Sequence, residues 1–247
     1  MLKGLWKLTW VETKIFVREP MGVVGTLAIP VLLFVVLGRA FGSVRVGDQT
    51  TAQSPFNLGI LAALMIAVNA VLSLVAIIAI YREGGILKRL RATPLSPLTI
   101  LSAQVLVKLI FSVVSLALLV LAGRRLFPGA MNFPMASFSA ALLLSTLSIL
   151  SLGFLIASII PTARFAQPIG AAILYPMVSV SGLFFPVSRL PPALQILSYG
   201  LPTTHAVSLM RGVWDGPGWS GHWWNAGALV VIFAVCSALA TKLFRWE

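Results

Sequence analysis

Two histidines, one cysteine and six carboxylates are what this 247-residue chain offers for catalysis, metal binding or ion coupling. His205 and His222 belong to no H-E-x-x-H, Cys236 is the single cysteine, and no G-x-S-x-G occurs, so protease and metalloenzyme chemistry lack their parts. No metal site is expected. Cys236 cannot form an intrachain disulfide and reads as a small apolar residue. Nor is there a G-x-x-x-x-G-K-[ST] loop to cradle nucleotide phosphates. The acids are Glu12, Glu19, Asp48, Glu83, Asp215 and Glu247, and all fall outside the long apolar blocks. An ion-driven carrier ordinarily needs a carboxylate within the membrane to bind and release its ion. Those blocks carry none, although a buried histidine such as His205 could substitute.

Three further groups carry chemical interest. Lys108 lies about ten residues into an apolar block, roughly 15 Å deep at helical rise. It either faces the interior and meets an anionic substrate or lipid, or it snorkels or bonds backbone carbonyls. Asn69 and Gln104 are the other notable polar groups in the blocks, and interhelical hydrogen bonding is the usual role of such residues. Loop 81–98 reads YREGGILKRLRATPLSPL. Gly84 and Gly85 permit a sharp turn after Glu83, and Ile86 to Arg91 suit a helix of about two turns that Thr93-Pro94 stops. Leu87 and Leu90 would meet a partner groove, and Lys88, Arg89 and Arg91 would meet acids or phosphates. The alternative is a basic loop that only enforces topology.

The elements that must position these groups follow from composition. Hydrophobic residues make up 59% of the chain and charged residues 10%, against about 25% charged in a typical soluble domain. Mean hydropathy is +1.00. The reading is an all-α membrane protein: one transmembrane domain over 1–247, with an interfacial helix at 1–19 and a six-span bundle over 21–243. The expected spans are 21–41, 57–80, 99–122, 136–160, 167–186 and 223–243. Each is long enough to cross ~30 Å of hydrocarbon. Pro30, Pro168 and Pro176 suggest kinks tolerable in a helical bundle. In the first segment Lys3, Lys7, Lys14 and Arg18 form one stripe, with Leu2, Leu5, Trp6, Thr9 and Phe16 roughly opposite, as in a helix lying in the membrane interface. The charges within Met1 to Pro20 leave no signal-peptide core.

A net charge of +12 would suggest nucleic acid in a soluble protein. Here the cations flank the apolar blocks, so anionic lipid is the expected partner and nucleic acid is not. With the N-terminus inside, one side holds Lys3, Lys7, Lys14, Arg18, Arg82, Lys88, Arg89, Arg91, Arg164, Lys242 and Arg245. The other holds Arg39, Arg45, Arg124, Arg125, Arg189 and Arg211. Both termini are therefore expected in the cytoplasm. Segment 184–221 contains two short apolar stretches, 192–200 and 203–213, parted by Pro202. They are expected to re-enter the outer leaflet or cap the bundle. Phe184 and Phe185 either form an apolar gate there or simply pack. Trp219, Trp223 and Trp224 suit an interfacial belt.

Two motifs carry a family resemblance. Tyr81-Arg82-Glu83-Gly84-Gly85-Ile86-Leu87-Lys88-Arg89-Leu90-Arg91-Ala92-Thr93-Pro94-Leu95-Ser96 resembles the signature after the second span of ABC-2 type exporter permeases, departing at Gly85, where threonine is usual. Ser181-Gly182-Leu183-Phe184-Phe185-Pro186, followed by Leu201-Pro202-Thr203-Thr204-His205-Ala206 and Met210-Arg211-Gly212, is similar to that family's outer segment. His205 often corresponds to an aromatic there.

The resemblance implies the transmembrane subunit of a bacterial ATP-driven exporter in the inner membrane. It would pair with a second copy or a close paralogue, and two cytoplasmic ATPase subunits would bind the ATP and Mg. This chain itself would hold no cofactor and no catalytic residue. Glu83–Pro94 would be the coupling helix in the ATPase groove. Spans 1, 2 and 5 would line the path, with Asn69, Gln104, Lys108, Tyr175, Phe184 and Phe185 as candidate lining and Pro186, Pro202, His205 and Arg211 in the outer re-entrant segment. The expected cargo is an amphipathic drug, antibiotic or lipid-like molecule. A lipid-linked glycan, a proton-coupled carrier using His205 and a membrane enzyme without transport remain the alternatives.

Overall fold

A computed structural model describes residues 2–41, 58–85, 97–126, 134–160, 162–215 and 218–243. Among them all regular structure is helical. In chain order these are α1 (Leu2–Arg18), α2 (Pro20–Val23), a π-turn (Val24–Ala28), α3 (Ile29–Phe41), α4 (Leu58–Glu83), α5 (Pro97–Leu126), α6 (Met135–Ile159) and α7 (Ala163–Ser179). A 3-10 turn (Val187–Arg189), α8 (Pro192–Tyr199), α9 (Pro202–Asp215) and α10 (Trp223–Leu243) follow. Among the described residues four stretches are long and apolar enough to cross a membrane: Ile60–Glu83, Ser102–Leu126, Met135–Ile159 and Trp223–Leu243.

Apolarity on all sides marks a helix for burial, and α4 occupies the centre. Ile60, Ala63, Ile66, Ala67, Ala70, Leu74 and Ala79 are fully inaccessible. Hydrocarbon solvates leucine as well as a neighbouring helix does, so close packing must supply the association. Glycines make it possible. A methyl group at Gly153 of α6 would lie 2.6 Å from Val71 Cγ1, and one at Gly170 of α7 would lie 3.2 Å from Leu72 Cδ2. At the periphery, α10 buries only Leu229, Cys236 and Ala240. Ser148 of α6 anchors it by donating to the Leu229 carbonyl at 2.9 Å.

Helical backbone runs from Pro20 to Phe41, broken by the π-turn, in which the Ile29 N–H reaches Val24 O, five residues back. Pro30 has no N–H to give the carbonyls one turn earlier. The buried Ser115 of α5 compensates by donating to Thr26 O at 3.2 Å. The expected kink is thus held from a neighbouring helix.

The expected fifth span, 167–186, does not coincide with its helix. α7 begins at Ala163 and ends at Ser179. Gly182 then takes φ +85°, a left-handed conformation that terminates helices. Phe184, Phe185 and Pro186 consequently lie beyond the helix, in the turn that follows.

Candidate functional site

The segment expected to couple begins with a turn where α4 stops. Gly84 N–H donates to Ile80 O at 2.9 Å and Gly85 N–H to Arg82 O at 3.0 Å. Gly85 has φ +66°. The departure from threonine therefore has a local reason, since a Cβ is disfavoured in that conformation. Glu83 and Gly84 are exposed, but Arg82 is buried and donates to the carbonyl of Ile160, just past α6, at 2.7 Å. The turn is thereby tied to the α6–α7 junction. Leu87, Lys88, Arg89, Leu90, Arg91 and Pro94, with the expected coupling helix, lie outside the described residues.

One residue before that arginine, the Tyr81 hydroxyl meets both carboxylate oxygens of Glu12, at 2.9 and 2.8 Å. Glu12 is 8% exposed, on the face of α1 that also buries Thr9 and Phe16. Trp6 lies 70% exposed, so the stripe expected opposite the cations is divided. Thr9 and Phe16 turn to the protein, while Trp6, Lys7, Lys14 and Arg18 turn outward. The side chain of Lys3 lies outside the described residues.

Lys108 joins this cluster from α5. Its ammonium donates to Ser73 Oγ at 2.6 Å and sits 4.3 Å from the Phe16 ring centroid. Phe16 in turn packs on Phe111, with ring centroids 4.4 Å apart and planes tilted by 52°. Lys108 is 2% exposed. Among the described residues its ammonium bonds the Ser73 hydroxyl and no backbone carbonyl, and it sits under Phe16 of α1. Gln104, one turn away and also buried, has its amide nitrogen without a partner among the described residues.

A second feature follows from which helices touch. α3, α5, α6 and α7 all pack on α4; α3 also packs on α5, α5 on α6, and α6 on α7. Among the described residues α3 and α7 make no comparable contact, so the ring these helices form around α4 is open between them. Between Ile60 and Ile80, the face of α4 left accessible is one stripe: Met65, Asn69, Ser73, Ala76, Ile77 and Ile80. Asn69 has no hydrogen-bond partner among the described residues. On α7, Phe165, Ile169, Ile173 and Tyr175 are exposed, Tyr175 at 52%. Phe184 is 37% and Phe185 62% exposed past the end of that helix.

Residues from α8 and α9 cap α7. Thr203 donates to Met177 O at 3.0 Å, Ser198 to Val180 O at 2.9 Å, and Arg211 to Gly182 O at 3.2 Å. Carbonyls left over at a helix C-terminus need such donors, and a cation there also suits the dipole. Pro202 opens α9 and Pro186 precedes the 3-10 turn. His205 bridges two elements, with Nε2 2.9 Å from Tyr199 O and Nδ1 3.0 Å from the Asn225 amide oxygen. A carbonyl can only accept, so Nε2 donates to Tyr199 O, and Nδ1 is then satisfied with the Asn225 amide flipped to present its NH2. Among the described residues no three of His, Cys, Asp and Glu gather as metal ligands would.

Sequence reasoning passed over Glu12, Tyr81, Ser73 and Ser115. One signal for Glu12 was available: at 100° per residue it falls beside Leu5, Thr9 and Phe16, an acid on the apolar face of an amphipathic helix.

Comparison with known proteins agrees with this architecture. The family profile described as ABC-2 type transporter matches residues 3–214. Nodulation protein J of Rhizobium leguminosarum bv. viciae is 28% identical over 99 residues, 40% of this chain and 38% of that protein. Nodulation protein J of R. leguminosarum bv. trifolii is 28% identical over 102 residues, 41% of this chain and 39% of that protein. The match thus spans about two fifths of these relatives' length. With four helices fit to cross a bilayer and a profile match over most of its length, the chain is a membrane protein and belongs to the ABC-2 type transporter family.

Proposed function

We propose that this chain is the permease subunit of an ATP-driven exporter in a bacterial inner membrane, with both termini cytoplasmic. Counting the helical stretch 20–41 and α7 as spans 1 and 5 gives six spans. In this reading α8 and α9 re-enter the outer leaflet and complete the crossing that 17-residue α7, at about 26 Å, begins. The observation that carries the reading is the opening between α3 and α7, where α4 presents Asn69 and Ser73 from an otherwise buried helix. Two copies, or this chain and a paralogue, would face these openings toward each other and form a path. Its mostly apolar lining suits an amphipathic drug, antibiotic or lipid-like cargo.

The drive comes from a separate cytoplasmic ATPase, two copies per transporter, each binding ATP and Mg. It engages the loop Glu83–Pro94. Force on that loop reaches α1 through Tyr81 and Glu12, and the α6–α7 junction through Arg82. Path and interfacial helix are thereby moved from one turn. The test is gentle solubilisation followed by identification of what copurifies. An ATPase should accompany the wild-type chain, and Glu83→Lys should lower substrate-stimulated hydrolysis at least tenfold. Unaltered stimulation in Glu83→Lys, or a chain that transports with no ATPase bound, contradicts the reading.

A further inference from the structure

On the other side of the bundle, α5 and α10 both pack on α6 but make no comparable contact with each other. The wedge between them is a cavity of about 500 Å³, within the ~300–1,000 Å³ of small-molecule sites. Leu106 and Leu109 of α5, Leu147 and Phe154 of α6 and Phe233 of α10 make its walls apolar, and Leu5 of α1 closes one end. Ser102, Ala240 and Thr241 also line it, which places it at the end of the bundle where α1 lies.

A cleft between two membrane-spanning helices opens onto hydrocarbon, so an acyl chain is the natural occupant of its apolar length. Two observations specify more. The hydroxyls of Ser102 and Ser237, on facing walls, have no partner among the described residues. They are donors without acceptors in a site where water is scarce. Charge near that end is positive: Lys242, exposed, directly follows the lining residue Thr241, and Lys7, exposed, lies two residues from the lining residue Leu5, while no carboxylate lines the cavity.

We propose that this cavity holds one acyl chain of an anionic glycerophospholipid from the leaflet bordering α1. The ester oxygens accept from Ser102 and Ser237, and the phosphate faces Lys242. The bound chain fills the wedge beneath Leu5 and braces the N-terminal helix. The site is separate from the opening between α3 and α7, and its existence does not depend on the cargo.

The full chain would be reconstituted in nanodiscs of equal phosphatidylglycerol and phosphatidylcholine, released into detergent, and its retained lipid counted by native mass spectrometry. One lipid per chain should resist release, with phosphatidylglycerol favoured about fivefold, as ~1 kcal/mol for one surface cation gives. Leu147→Trp, which fills the cavity, should lower retention at least tenfold. Ser237→Ala should lower it several-fold without adding bulk, so the inference survives should Leu147→Trp fail to fold. Val231→Trp, on the 60% exposed outer face of α10, should retain lipid like the wild type. No retained lipid in the wild type, or equal retention in the wild type, Leu147→Trp and Ser237→Ala, overturns the site. Equal retention of both lipids, unchanged by Lys242→Glu, overturns its anionic headgroup.

Discussion

Tyr81→Phe isolates the link between the C-terminal end of α4 and α1. The substitution deletes one oxygen and leaves the ring, so packing is retained. What is lost is a phenol donor 2.8 and 2.9 Å from the two oxygens of the Glu12 carboxylate. A hydrogen bond to a charged group contributes about 1.5–3 kcal/mol, and Glu12, only 8% exposed, has little water to replace it. Undocking of α1 should therefore become about 10–150-fold more frequent, at ~1.4 kcal/mol per decade. Hydrogen exchange in detergent reads this directly. Amides of Thr9 to Phe16 should exchange faster by that factor, while α6 and α9 keep wild-type rates. In a double-mutant cycle with Glu12→Gln, the coupling should exceed ~1 kcal/mol. Unchanged α1 exchange, or a uniform acceleration across the chain, refutes the argument that this bond holds α1 to α4.

Three further outcomes follow from the geometry. Gly85→Thr, which restores the residue usual in the family, should strain a turn with φ +66° by ~1–2 kcal/mol; a lowered melting temperature checks it, and an unchanged one removes the conformational argument. Gly153→Ala should cost ~1–3 kcal/mol by overpacking, because its methyl would lie 2.6 Å from Val71 Cγ1; Val71→Ala should restore much of the lost thermal stability, and absence of rescue points elsewhere. Lys108→Met should loosen α1 in the same exchange experiment by removing the cation over Phe16, a desolvated contact worth ~2 kcal/mol. Faster substrate loss with α1 unaffected would instead make Lys108 a cargo contact.

The sequence was most legible where a single helix's own composition decides the outcome. The span expected at 223–243 has those bounds in α10 because a tryptophan pair opens an uninterrupted apolar run. The charge stripe of 1–19 likewise identifies α1. Lys108 was opaque for the opposite reason. Its surroundings are Ser73, 35 residues earlier, and Phe16 on another helix, a juxtaposition that no local period encodes. α7 ends at Ser179, before the apolar run does, because Gly182 turns the chain and Ser198, Thr203 and Arg211 arrive from later helices to cap it. The open side of α4 was equally invisible, since uniform apolarity cannot say which face lacks a neighbour.

The most direct test of the path is the accessibility of position 69. In a Cys236→Ala background with the ATPase bound, Asn69→Cys would be probed with a water-soluble maleimide, without nucleotide and with the motor trapped by ATP and vanadate. Labelling should be strong in one state and suppressed at least tenfold in the other, while Val231→Cys, on the outer face of α10, stays unchanged between states. An Asn69→Cys that never labels, or labels alike whether or not the motor is trapped, contradicts a path between α3 and α7.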